Sequence, residues 1–171
     1  MTNKGKVNFF LYTYFPVILL FISVLSEFDF KNIELKYFSF EFSYILIFYY
    51  SLKRRDSLGY VAIFIAGLFS DVVAGSPMGM SSLIYLLLCG AAAYLRNITL
   101  SPSLFKDWIF FLVTLLILNS LSFMLLTLIS NYNINYLDQL ISVIVTALLY
   151  LIFSYIFNFV DNFLLGSNNA S

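Results

Sequence analysis

Six apolar runs, each bounded by charges or turn residues, take up almost the whole chain, and their lengths decide what it can become. They cover residues 9–26, 38–52, 58–73, 78–95, 108–130 and 140–160. A helix crossing the hydrocarbon of a bilayer needs about 20 mainly apolar residues, and these runs sit at or near that length. Only 11% of the chain is charged, against roughly 25% in a soluble domain. A chain of 171 residues has no core able to hide 20 phenylalanines and 13 tyrosines from water. The expected fold is an all-α membrane protein: a single domain over residues 1–171, with six transmembrane helices and short loops.

Composition removes several functions. There is no histidine, and Cys89 is the one cysteine, so His-ligated metals, disulfide frameworks and thiolate zinc sites are ruled out and no cofactor is expected. A net charge of zero with scattered charges gives no basic stripe for nucleic acid. Membrane hydrolases need paired acids or histidine clusters at reacting distance. Here Asp71 is the only acid well inside a run, while Asp107, Asp138 and Asp161 fall at run ends on different sides. Cys89 has no base near it in sequence and reads as packing. Tyr12, Tyr85, Tyr132, Tyr136 and Trp108 read as interfacial belt residues. The chain is not expected to be an enzyme.

Flanking lysines and arginines set orientation, because they are retained in the cytoplasm. With the amino terminus inside, the cytoplasmic segments hold Lys4, Lys6, Lys53, Arg54, Arg55, Arg96 and Lys106, seven of the nine basic residues. The outer segments hold Lys31 and Lys36, diluted by Glu27, Asp29, Glu34 and Glu41. Both termini are therefore expected in the cytoplasm. The basic start and first run have the layout of a secretory signal, but no small-residue cleavage site follows, so that run is kept as a helix, with Pro16 as a kink. Segment 27–37 is expected on the membrane surface, as a connector or a partner-docking strip. The basic turn at 53–56 is a topology signal that can also attract anionic lipid, and residues 161–171 read as a frayed polar tail.

The third and fourth runs differ in texture from the rest. Gly59, Gly67, Asp71 and Gly75 fall on one i, i+4 line, with Ala62, Ala66, Ser70 and Ala74 on the line beside it. Small side chains let a neighbouring backbone approach closely, and close packing is a main force between helices in lipid. The third helix is therefore expected to be buried in protein through Gly59, Ala62, Ala66 and Ser70, with Gly90 continuing the packing face on the fourth. The aromatics, concentrated on the other runs, are expected to face lipid or fill wide gaps.

Between these runs lies a helix reversal. Gly75 can take the left-handed conformation that ends a helix, Ser76 can cap the next one, and Pro77 suits a first helical position. Asp71 is the anomaly, since a carboxylate near the carboxyl end of a helix faces the wrong pole of the dipole at the edge of a membrane. It needs a partner. In one reading it reaches across the reversal to the free amides opening the fourth helix, near Met78 to Ser81. In the other it contacts a ligand, a lipid headgroup or another protein.

The stretch from Gly67 to Gly79, with Gly67, Asp71, Gly75, Ser76, Pro77 and Gly79 spaced as G-x-x-x-D-x-x-x-G-S-P-x-G, resembles the signature of the MreD family, integral membrane proteins of the bacterial rod shape-determining apparatus. The likeness covers residues 38–95 and extends to an aromatic second span ending in a basic turn. It departs at Ser39-Phe40-Glu41-Phe42, where the family commonly has a proline. The resemblance implies a non-enzymatic scaffold of the cell-wall elongation complex in the bacterial cell membrane. Its implied partners are MreC, the glycosyltransferase RodA with its partner transpeptidase, and indirectly the actin-like MreB, with peptidoglycan synthesis as the setting.

An alternative of a different class is the substrate-binding S component of an energy-coupling-factor vitamin transporter, also a six-helix protein of this size. It would need a cavity with a few polar groups and a small-residue patch on the first helix. Residues 9–26 contain no alanine or glycine. Asn119 and Ser122 on the fifth run, and Ser142, Thr146, Ser154 and Asn158 on the sixth, are a possible polar core, expected first as interhelical hydrogen bonds.

Overall fold

The computed structural model describes residues 14–25, 40–54, 58–99, 103–129 and 136–166. All regular structure among them is helical: α1 (Tyr14–Leu25), α2 (Phe42–Lys53), α3 (Tyr60–Ala74), α4 (Met80–Ile98), α5 (Leu104–Ile129) and α6 (Tyr136–Gly166). Three segments are long and apolar enough to cross a membrane: Met80–Ile98, Leu104–Leu128 and Gln139–Asp161. α1 and α3 are shorter apolar helices. The surface strip 27–37, Lys4, Lys6, Arg55, Tyr12, Tyr132 and the last five residues lie outside the described residues.

Helix ends depart from the hydropathy runs because hydropathy reports the hydrocarbon, whereas a helix continues wherever its backbone bonds can be made. α5 begins at Leu104, where the Ser103 carbonyl accepts the Asp107 amide at 3.0 Å and the acid sits favourably at the positive pole. α6 starts at Tyr136 and runs on to Gly166, so the expected fraying from residue 161 is corrected: the first part of that tail is helical. α2 begins only at Phe42, and the preceding Glu41 amide donates to Thr146 Oγ1 of α6 at 3.1 Å. The non-helical backbone there is tolerable because protein satisfies it.

The main correction concerns which helix is enclosed. α2, at 12 residues, is about 18 Å long and could not cross about 30 Å of hydrocarbon by itself. It is instead the axis of the bundle, with Ser43 and every residue from Ile45 to Ser51 buried. Phe48 packs its ring against Phe110 and Phe111 of α5 and Tyr150 of α6. Phe42, Tyr49 and Tyr50 pack against Phe157 of α6, and Tyr44 meets Tyr85 of α4 edge-on at 5.6 Å. These aromatics fill protein and do not face lipid, because large rings are the side chains able to span the gap between one central helix and several neighbours. α3, expected to be the enclosed helix, buries one face only: Val61, Ile65, Phe69 and Val72 are exposed. Tyr85 and Trp108 likewise leave the belt. Tyr85 is 1% exposed and donates to Ser70 Oγ at 3.3 Å, and Trp108 Nε1 donates to the Ala147 carbonyl at 2.8 Å.

α1 joins through Leu20 and Val24, both fully buried, through Phe21 edge-on to Phe69 of α3, and through Ser23, whose hydroxyl meets that of Ser43 at 2.9 Å. Ser23→Ala leaves the buried Ser43 hydroxyl without this contact and is expected to cost about 0.5–1 kcal/mol, read as a lower melting temperature with unchanged oligomeric state.

Candidate functional site

The reversal between α3 and α4 is built around Asp71, which is fully buried. Its backbone carbonyl accepts the amides of Gly75, which caps α3 at φ 69°, and of Ser76 at 3.1 Å. The second of these is the six-to-one bond of a Schellman ending. Its carboxylate then faces the other helix. Oδ1 accepts the Ser76 hydroxyl at 2.8 Å and the Ser81 amide at 2.9 Å, and Oδ2 accepts the Gly79 amide at 2.7 Å.

One substitution of roles explains this geometry. Gly79 precedes the first residue of α4 at φ 95° and ψ −8°, a left-handed conformation suited to the third position of a type II turn, and the Pro77 carbonyl accepts the Met80 amide at 3.3 Å to close that turn. The conformation favours glycine, and a glycine has no side chain with which to cap. The second amide of the new helix, which an in-line Ser or Asp would take, is taken instead by Asp71 from the end of the previous helix. Anion and positive pole meet at the α4 terminus, so the acid sits badly on its own helix and well on the next. Two sequence expectations are corrected here. Ser76 does not cap α4, because its hydroxyl is turned back to Asp71, and Pro77 lies in the turn ahead of the helix, three places before its first residue.

Behind the reversal the two helices approach closely. A Cβ at Gly67 would lie 2.4 Å from Ser82 Cα and 2.6 Å from Ser82 N. The Ser82 hydroxyl donates to the Phe64 carbonyl at 3.0 Å. Ala66 and Ser70 are buried beside this contact, and Ala62 is partly buried. The rest of the expected packing face is corrected: a Cβ at Gly59 or Gly90 would meet nothing within 4 Å, and both residues are exposed. Gly90 lies on the side of α4 that carries Leu83, Leu87 and Tyr94, all exposed. At Gly75 a Cβ also meets nothing, so the cost of Gly75→Ala is that of the left-handed backbone alone. About 1 kcal/mol is expected, measured by thermal unfolding in detergent.

The possible polar core does not converge. Ser122 donates to the Leu118 carbonyl at 2.8 Å and Thr146 to Ser142 at 2.7 Å, bonds within their own helices, while Asn119 is only partly buried and Asn158 is exposed. A small cavity of about 10 Å³, room for one water-sized group, is lined by Ser51, Leu58, Tyr60, Cys89, Ala93 and Arg96. No group of three or more His, Cys, Asp or Glu side chains able to hold a metal occurs among the described residues.

A second constellation was not singled out in the sequence. At the end of the bundle where α2, α4 and α6 finish and α5 starts, Arg54 Nη1 lies 3.7 Å from Asp161 Oδ1, with the guanidinium 5.8 Å from the Tyr50 ring centre. Arg96 donates to the Ser51 carbonyl at 2.8 Å, and Lys53 is near enough to both Asp107 and Asp161 to act on their charge. Alternation of helix direction brings Arg54, Arg96, Asp107 and Asp161 to one end, and that was the available signal. Compared with known proteins, the chain matches no family model, no curated protein and no solved structure.

Proposed function

We propose that this chain is a non-enzymatic membrane scaffold of the MreD type, a six-span protein of the bacterial cell membrane with both termini in the cytoplasm. In this reading it serves cell-wall elongation by gripping the membrane anchors of MreC and of wall synthases such as RodA and its partner transpeptidase, and so reaches MreB indirectly. One observation carries the reading. The special residues of the 67–79 stretch are engaged in joining two helices: the Gly79 and Ser81 amides and the Ser76 hydroxyl are bound by Asp71, and Gly67 admits Ser82. A stretch committed in this way to helix packing suits a scaffold better than a binding pocket or a reacting centre. The six-span topology draws support from the three long apolar segments and from the gathering of Lys53, Arg54 and Arg96 at one end.

The vitamin-transporter reading is less well supported, because the Ser122 and Thr146 hydroxyls donate to carbonyls of their own helices and the cavity beside Cys89 holds about 10 Å³, against several hundred Å³ for a typical ligand site. The test is affinity purification of the tagged full chain from bacterial membranes. Recovery of MreC and a wall synthase is the expected result, and a stoichiometric vitamin without them would reverse it. A reporter fused after Asn169 is expected to be active only when it functions in the cytoplasm.

A further inference from the structure

We infer that the notch between the end of α2, the start of α3 and the end of α4 holds the phosphate of an anionic phospholipid headgroup, with Arg96 as its principal contact. Arg96, in the last turn of α4, is partly buried and fixed in place by its bond to the Ser51 carbonyl at 2.8 Å. A guanidinium offers five N–H donors, and this bond uses one. The ion pair found among the described residues joins Arg54 to Asp161, and it leaves Arg96 with no described carboxylate within 4.0 Å. The first turn of α3 has no acid, and neither does the last turn of α4. A partly desolvated cation with no carboxylate within 4.0 Å among the described residues is stabilised by an anion from outside.

The notch gives that anion a place. Its lining of Ser51, Leu58, Tyr60, Cys89, Ala93 and Arg96 leaves about 10 Å³, enough for one phosphate oxygen to enter while the rest of the group stays at the rim. Lys53, in the last turn of α2, adds a second cation at this end, while Arg54 is paired with Asp161. Depth and surroundings favour a lipid over free phosphate. The notch lies at a helix end, where leaflet phosphates sit, and the neighbouring surfaces of α3 and α4 expose Val61, Tyr94 and Ile98, against which acyl chains can lie. This inference needs the chain to be embedded in a membrane and is independent of the scaffold assignment.

The experiment compares the full chain in phosphatidylcholine nanodiscs with and without phosphatidylglycerol, by melting temperature and by native mass spectrometry of retained lipid. Phosphatidylglycerol is expected to raise the melting temperature of the wild type and to be retained in preference. Arg96→Gln is expected to remove the rise and to lower retention about fivefold, and Arg96→Lys to keep most of it. Ala93→Leu fills the notch while leaving Arg96 in place, and it decides the matter should Arg96→Gln fail to fold: loss of the rise supports the site. An equal rise in wild type and Ala93→Leu would overturn the inference, as would the same rise produced by inorganic phosphate in phosphatidylcholine alone.

Discussion

Asp71→Ala is expected to destabilise the protein by about 3–5 kcal/mol, the largest effect of any single polar substitution among the described residues. The side chain is fully buried and accepts three hydrogen bonds between 2.7 and 2.9 Å. Hydrogen bonds to a charged acceptor contribute more than neutral ones, and truncation leaves two backbone amides at the start of α4 without an acceptor in a buried setting. Asp71→Asn is expected to lose about half as much, because its one oxygen can serve Gly79 or Ser81 while its amide group meets the other donor head-on. The measurement is thermal unfolding of the detergent-solubilised chain by size-exclusion fluorescence, with abundance in membranes as a second readout. A wild-type melting temperature for Asp71→Ala would remove the structural role assigned to the carboxylate. An Asp71→Asn protein that is stable and abundant yet fails to recover MreC would add a recognition role to it.

The reversal was legible in the sequence because its determinants are local. A positive φ asks for glycine whatever surrounds it, and a carboxylate at the wrong pole of one helix, nine residues ahead of the start of the next, has few acceptable partners. Reading the residues one by one offered Asp71 at the amides near Met78 to Ser81 as one of two readings, which the Gly79 and Ser81 bonds match, but it also gave Ser76 and Pro77 conventional positions at the helix start that neither occupies. The cause is that Gly79 moves the helix start beyond Pro77. That displacement comes from a backbone torsion which composition does not announce.

The arrangement around α2 was not legible, for a different reason. In a soluble protein an apolar face marks the core, because water makes the contrast. In lipid, Phe48 packed among Phe110, Phe111 and Tyr150 and Phe159 exposed on α6 have the same chemistry, so hydropathy cannot separate them. What distinguishes α2 is its shortness together with its small polar residues: Ser43 and Ser51 are buried against hydroxyl and thiol partners. A helix of 12 residues with rings on every side makes sense only when protein surrounds it. The charged end of the bundle was hidden in a similar way. Arg54 and Asp161 are about a hundred residues apart, and only the return of α6 after α5, to finish at the same end as α2, brings them to 3.7 Å.

Glycine shows the same ambiguity at its sharpest, and it yields the second large expected effect. Gly67 and Gly90 look alike in sequence, each inside an apolar helix with small neighbours, yet their environments are opposite. Gly67→Ala is expected to cost about 3 kcal/mol, at the upper end of the range for overpacking. Its methyl group would overlap Ser82 Cα at 2.4 Å and Ser82 N at 2.6 Å. Backbone atoms cannot rotate away, so α3 and α4 must separate. Separation also stretches the Ser82 to Phe64 bond and the two amide bonds to Asp71, which links this contact to the lock at the reversal. Adding Ser82→Ala is expected to give no relief, since the clash with Cα and N remains; recovery in that double variant would trace the strain to the Ser82 hydroxyl instead. Gly90→Ala meets nothing within 4 Å and is expected to be neutral or to gain about 0.5–1 kcal/mol from helix propensity. Melting temperatures of the three variants measured side by side test the claim that close approach of two backbones, and not glycine content as such, holds this hairpin together. Equal losses at Gly67 and Gly90 would sink it.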